Sequence, residues 1–264
     1  MSLQKQIVWI TGASSGIGEA LAYAYSEKGV KLILSARRVN ELERVRENCP
    51  GSAEDIKILP LDLTDTEAMN EKTEMAVNMF GKIDVLINNG GISQRAYAVD
   101  LTMDTIRQIM EVNFFGTVAL TKALLPQMIE NKSGHIVVIS SVMGKIGTKY
   151  RSAYAASKHA LHGWFDCLRQ EVHEHNLDVT MVCPGYVRTN VTRNALTAEG
   201  EKLNVMGDAH KKALSPQEFA NKLLPKISKG KDEIYIGGFE IITIYLKRFF
   251  PGLLNKILLR AKVT

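Results

Sequence analysis

Cysteine is scarce in this chain of 264 residues. The three present, Cys49, Cys167 and Cys183, stand far apart, without the density of a disulfide framework or the spacing of a zinc or redox motif. They read as reduced thiols of a cytoplasmic protein. Long apolar runs are missing as well: no stretch approaches the roughly 18 residues that a membrane span needs. The opening MSLQKQIVWITG holds no apolar signal-peptide region before the first strand. Repeats, low-complexity tracts and a dividing linker are also absent, so a single domain over residues 1–264 is expected. Nor is there a large excess of one charge: the formal net charge is +5, with 23% charged and 45% hydrophobic residues, the balance of a soluble globular protein. The small surplus is local. From Lys211 onward eleven Lys/Arg face four Asp/Glu, which leaves residues 1–210 slightly acidic. A basic tail attracts an anionic surface, but no nucleic-acid motif accompanies it, and no nucleic-acid partner is expected.

What the chain does contain is a regular alternation. Short β-branched runs (IVWI, KLILSA, IKILPL, IDVLIN, HIVVIS, DVTMVC, EIYIG) are separated by longer segments of helical period. The runs are apolar almost throughout, as strands buried on both faces are. That pattern predicts an α/β fold: a Rossmann-like, doubly wound parallel sheet of about seven strands with helices on both faces.

The first strand runs into TGASSGIGEALAYAYSEKG, where Gly12, Gly16 and Gly18 allow a tight strand-to-helix turn. Such a turn brings backbone N–H groups and a helix N-terminus up to a pyrophosphate. Ser14, Ser15 and Ile17 share the loop. The second strand ends LILSARR. An NAD site uses an acidic residue there to accept from the ribose 2′-hydroxyl. This chain has Ala36, Arg37 and Arg38, and a guanidinium holds a 2′-phosphate through charge-assisted hydrogen bonds. The expected cofactor is NADPH/NADP+ rather than NADH. Further on, SAYAASKHALHGW sets Tyr154 and Lys158 four residues apart, on one helix face. By itself that pair describes any amphipathic helix with a lysine lying along it.

Seven stretches together, TGASSGIG, LDLTD, NNGG, VNFFG, ISSVMG, YAASK and PGYVRT, resemble the classical short-chain dehydrogenase/reductase family in order and spacing, over roughly residues 5–190. The resemblance implies hydride transfer between a nicotinamide and a carbonyl or alcohol. It makes Tyr154 the general acid for reduction and general base for oxidation, with Lys158 lowering its pKa and holding the nicotinamide ribose. Ser141 would hold the substrate oxygen, Ser140 would be structural, and Asn113 would support a water-linked proton path to the lysine. Asp62 and Leu63 would border the adenine, and Asn89 and Gly90 the adenosine ribose. Pro184, Gly185, Val187 and Thr189 would surround the nicotinamide. The usual N-N-A-G is N-N-G-G here, so Gly90 replaces an alanine and loosens the backbone. His159 and His162 flank the lysine without a third ligand, and no metal is expected. His173 and His175 favour the dipole at that helix's end.

Residues 190–214, with Leu196, Leu203, Val205 and Met206, fall where the family folds a substrate lid. Residues 239–264 extend past the compact ketoacyl reductases, with apolar pieces either side of Pro251 and with Lys247, Arg248, Lys256 and Arg260 among them. Such an extension can cover the substrate pocket, pack on another subunit, or make a peripheral membrane contact. An apolar ketone or alcohol substrate and a homodimer or homotetramer are expected. A 3-ketoacyl reductase-type enzyme and a non-catalytic NADPH-binding regulator are the alternatives.

Overall fold

A computed structural model describes residues 6–191, 193–204 and 213–261. Seven parallel strands form one sheet: β1 (Ile7–Thr11), β2 (Lys31–Ser35), β3 (Ile56–Ile58), β4 (Val85–Asn88), β5 (Gly134–Ile139), β6 (Leu177–Pro184) and β7 (Glu233–Ile236). Their order is β3-β2-β1-β4-β5-β6-β7. The expected doubly wound fold is therefore the observed one.

The period of two in β1 explains the layers. Val8 and Ile10 enter one apolar cluster with α1 (Gly16–Ser26), α2 (Val39–Asn48) and α7 (Pro216–Ile227). Ile7 and Trp9 enter the other, with α3 (Met69–Phe80), α5 (Gly116–Glu130) and α6 (Ser152–Glu171). Trp9 is fully buried, and its indole N–H donates to Ser35 Oγ at 2.8 Å, so no donor is stranded. Between α4 (Met103–Met110) and α5 the helix continues through one π turn, Glu111–Phe115. Pro251 stops α8 (Ile242–Phe249) and begins α9 (Pro251–Arg260), as its fixed φ and missing N–H demand.

The strand order reverses between β1 and β4. Their following loops part there and leave a crevice at the carboxyl edge of the sheet, where such folds take their ligands.

Candidate active site

The floor of the crevice is built around side chains that are absent. Gly12 and Gly16 have φ of +63° and +61°, a region that side chains other than glycine's rarely adopt. A Cβ on Gly18 would lie 2.4 Å from the Gly12 carbonyl oxygen, so only glycine lets α1 start this close to the turn. Asn89 fastens the turn from the neighbouring strand: its Nδ2 donates to the Thr11 and Gly12 carbonyls at 3.0 and 3.2 Å. Thr11 Oγ1 accepts from the Asn89 and Gly90 amides, both at 3.0 Å. Ser15 N-caps α1 without a side-chain bond of its own, while Ser14 is buried and Ile17 packs on the core. An open helix N-terminus above a turn that lacks a Cβ at Gly12, Gly16 and Gly18 suits a pyrophosphate.

At the end of β2, Arg38 Nη2 donates to Ser14 Oγ at 3.2 Å, which draws one guanidinium against the glycine turn. Arg37 is exposed and makes no hydrogen bond or ion pair among the described residues. Asp62 Oδ1 accepts from the Thr64 amide and hydroxyl at 3.0 and 2.9 Å, an Asx turn after β3. Gly90 is not loose in the way its lost methyl suggests. A Cβ there would meet Leu63 Cδ1 at 2.6 Å, so the Leu63 side chain occupies the space an alanine would use.

On the other side of the crevice α6 carries Tyr154 and Lys158 one turn apart, the ammonium 5.9 Å from the tyrosine ring centre. Lys158 is buried and its Nζ donates to the Ile139 carbonyl at 2.9 Å; burial lowers its pKa to about 8. Tyr154 is half-buried. Burial raises its pKa, against a hydrogen bond with Ser141 and the charge of Arg151, both of which lower it. The net direction is opposite to the lowering expected from Lys158. In this arrangement the ammonium is turned to a backbone carbonyl and burial dominates. Ser141 follows β5 and caps a short turn, its Oγ accepting from the Met143 amide at 3.1 Å.

Asn113 lies in the π turn, fully buried. Its Oδ1 accepts from the Ile92 amide at 2.8 Å, and its Nδ2 donates to the Ile92 carbonyl at 2.9 Å and to Ser157 Oγ at 3.0 Å. From this wider turn the side chain reaches across to α6. A Cβ on Gly91 would sit 3.1 Å from Asn113 Oδ1 and 3.7 Å from Lys158 Nζ, so the three converge.

Pro184 ends β6, and Gly185, Val187 and Thr189 follow it, with the Thr189 methyl 3.2 Å from where a Gly16 Cβ would be. Val187 bridges to Leu214, at one end of the segment expected as a lid, and Gln94 bridges to Leu196 within it. Val205 and Met206 lie outside the described residues.

Several residues here escaped the sequence reading. Glu240, at the start of the tail, accepts from the Tyr186 amide at 2.8 Å and the Gly238 amide at 3.0 Å, gripping the loop after β6. Arg151 is drawn in by Ser93 Oγ at 2.5 Å and the Gln94 carbonyl at 3.2 Å. Its place three residues before Tyr154 is a local signal that could have been read. Beneath the site, Ser140 Oγ lies 3.1 Å from His162 Nε2, and His162 Nδ1 lies 3.4 Å from Glu233, which also binds Lys145 and Tyr235. Burial raises the Glu233 pKa, but the bonds from His162, Lys145 and Tyr235 prevail and hold it at about 2. His162, weighed from the sequence only as a metal ligand, is a link in this chain, and His159 Nδ1 sits 2.8 Å from the Ala155 carbonyl. His173 and His175 form a short turn of their own beyond α6.

A glycine turn at the switch point and a Ser–Tyr–Lys set on the turn after β5 and on α6 are the arrangement expected of a Rossmann-type oxidoreductase site. Residues 6–200 match the family model described as short chain dehydrogenase. The chain is 43% identical over 257 residues to human dehydrogenase/reductase SDR family member 7, covering 94% of this chain and 75% of that one. To bovine SDR family member 7B it is 40% identical over 263 residues, covering 97% and 81%. A short-chain dehydrogenase from Streptomyces avermitilis superposes with a TM-score of 0.79 at 29% identity, over 97% of this chain and 94% of the other. The chain belongs to the short-chain dehydrogenase/reductase family. It is thus an oxidoreductase of a family that binds a nicotinamide cofactor and small-molecule substrates, generally as oligomers.

Proposed function

We propose that the chain is an NADPH-dependent carbonyl reductase, reversible as an alcohol dehydrogenase, acting on an apolar ketone or alcohol. The observation that carries this reading is Lys158, buried one turn along α6 from Tyr154 with its ammonium 5.9 Å from the tyrosine ring centre. When bound, the nicotinamide supplies or accepts the hydride. The phenol of Tyr154, whose pKa burial raises further, gives its proton to the developing alkoxide. Ser141 Oγ holds the same oxygen and stabilises its charge. Lys158 holds the nicotinamide ribose and recharges the phenol, with Asn113 on the path behind it. Gly12, Ser14, Ser15, Gly16, Ile17 and Gly18 receive the pyrophosphate, Asp62, Leu63, Asn89 and Gly90 the adenosine, and Pro184, Gly185, Val187 and Thr189 the nicotinamide.

Arg37, exposed and unpaired among the described residues, and Arg38 above Ser14 support binding of the 2′-phosphate. The apolar cluster that joins Leu196 to Ala153, next to Tyr154, supports an apolar substrate under a lid of residues 190–214. We read residues 239–264 as an extension of the same domain, the assembly as a homodimer or homotetramer, and the compartment as the cytoplasm, with the tail in peripheral contact with a membrane. The three free cysteines and the lack of a spanning helix among the described residues fit that reading.

Direct titration with NADPH and NADH tests the cofactor assignment. Arg37→Ala should weaken NADPH by ~10- to 100-fold and leave NADH nearly unchanged, the worth of hydrogen bonds between charged partners. An equal loss for both cofactors would remove the 2′-phosphate role.

A further inference from the structure

The tail has two unlike faces. Its inner face is settled: Ile244 and Leu254 are buried in a cluster with Val142 and Ile146, on the turn that follows Ser141. Lys149 Nζ also donates to the Leu259 carbonyl at 3.3 Å. The helices are therefore fixed to the protein.

The outer face is apolar and uncovered. On α8, Ile242, Tyr245 and Phe249 fall at i, i+3 and i+7, along one exposed stripe. Phe250, Leu253 and Ile257 continue it onto α9, with Phe249 and Phe250 67% and 62% accessible. Isolated exposed apolar residues are ordinary, but a contiguous aromatic and aliphatic stripe marks a contact surface. Arg248 flanks it on α8 and Lys256 and Arg260 flank it on α9, whereas Lys247 lies on the far side of α8, and residues 241–264 contain no Asp or Glu. The last carboxylate before them, Glu240, is spent on the Tyr186 and Gly238 amides.

We infer that the outer face of α8 and α9 docks on an anionic lipid bilayer, lying flat in its interface. The inference rests on the peripheral-contact reading and deepens it by naming the lipid charge. Helices of 8 and 10 residues cannot span a bilayer, but they can sink an apolar stripe to the acyl boundary while lysine and arginine reach the headgroups. A second copy of the chain fits less well. A two-fold contact would set this basic face against its copy, and residues 241–264 offer no Asp or Glu to pair with it. Docking here would hold the turn after Ser141 beside the membrane and bring a membrane-dissolved carbonyl compound to the site.

The test is co-sedimentation of the full chain with vesicles of phosphatidylcholine alone and of phosphatidylcholine mixed with phosphatidylglycerol. Binding should require the anionic lipid and weaken with salt. Arg248→Gln with Lys256→Gln should cost about fivefold per charge, and Phe249→Ser with Leu253→Ser should remove most of the binding. NADPH titration of each variant checks that the fold is intact. Equal binding to both vesicles would overturn the lipid-charge proposal while keeping peripheral contact. Binding to neither would sink both. Unbound protein whose dimer dissociates on Phe249→Ser with Leu253→Ser, read by light scattering, would assign the face to self-association instead.

Discussion

The two sides of the crevice are made in opposite ways. On the β1–β4 side the structure depends on what is missing. Gly12 and Gly18 leave no room for a methyl, and each bond that ties the turn down has a backbone atom at one end. On the β5–β7 side it depends on side chains meeting from distant parts of the chain. Ser140, His162, Cys183 and Glu233 come from different elements and adjoin one another under the turn after Ser141, with Lys145 and Tyr235 bound to the same carboxylate. One side is specified by exclusion and the other by contact, so substitutions should fail for different reasons on each.

The largest expected effect is at the junction of the two. Tyr154→Phe should lower turnover by ~10³-fold while NADPH binds as before, because only the proton donor is lost. Unchanged turnover in a stopped-flow assay would defeat the assignment. On the contact side, Glu233→Gln should cost about 3 kcal/mol at neutral pH, from a pKa moved from 4.5 to about 2. The sign follows from the carboxylate being the favoured form in the fold. Its contribution is complete above pH 4.5 and disappears as pH falls toward 2, so the variant should lose that stretch of acid sensitivity in thermal melts. A parallel pH dependence for both proteins would show that the network stores no such energy.

On the exclusion side, Gly18→Ala should cost about 2 kcal/mol, since the new Cβ would sit 2.4 Å from a backbone oxygen that cannot swing away. Cofactor affinity should fall with it. Gly90→Ala is the contrasting case: the atom in the way is the Leu63 Cδ1 methyl, which can rotate. Its melting temperature should correspond to a change within about 1 kcal/mol of either sign, because alanine also restricts the unfolded chain. A large loss at Gly90 would mean that the Leu63 side chain is as rigid as the backbone.

The same contrast explains what could be read in advance. The strands of β1, β4, β5 and β6 were legible from their continuous apolar runs, and the glycine turn from its spacing within one loop. Tyr154 and Lys158 were legible as a pair because a helix converts four residues of sequence into one turn of space. Glu240 carried no such signal, for it meets Tyr186 across 54 residues. The role of Asn113 depended on a π turn that shifts its side chain, and its helical neighbourhood gave no sign of that register change.

The sequence by itself determined the parallel sheet, the crevice at its switch point and the candidate residues around it, since these follow from local period, glycine spacing and motif order. Only the tertiary structure decided the direction of the Tyr154 pKa, the filling of the Gly90 space by Leu63, the grip of Glu240 on the loop after β6, and which face of the tail is covered. Each of those depends on burial and on contacts between residues far apart in the chain, and neither quantity exists until the layers have packed.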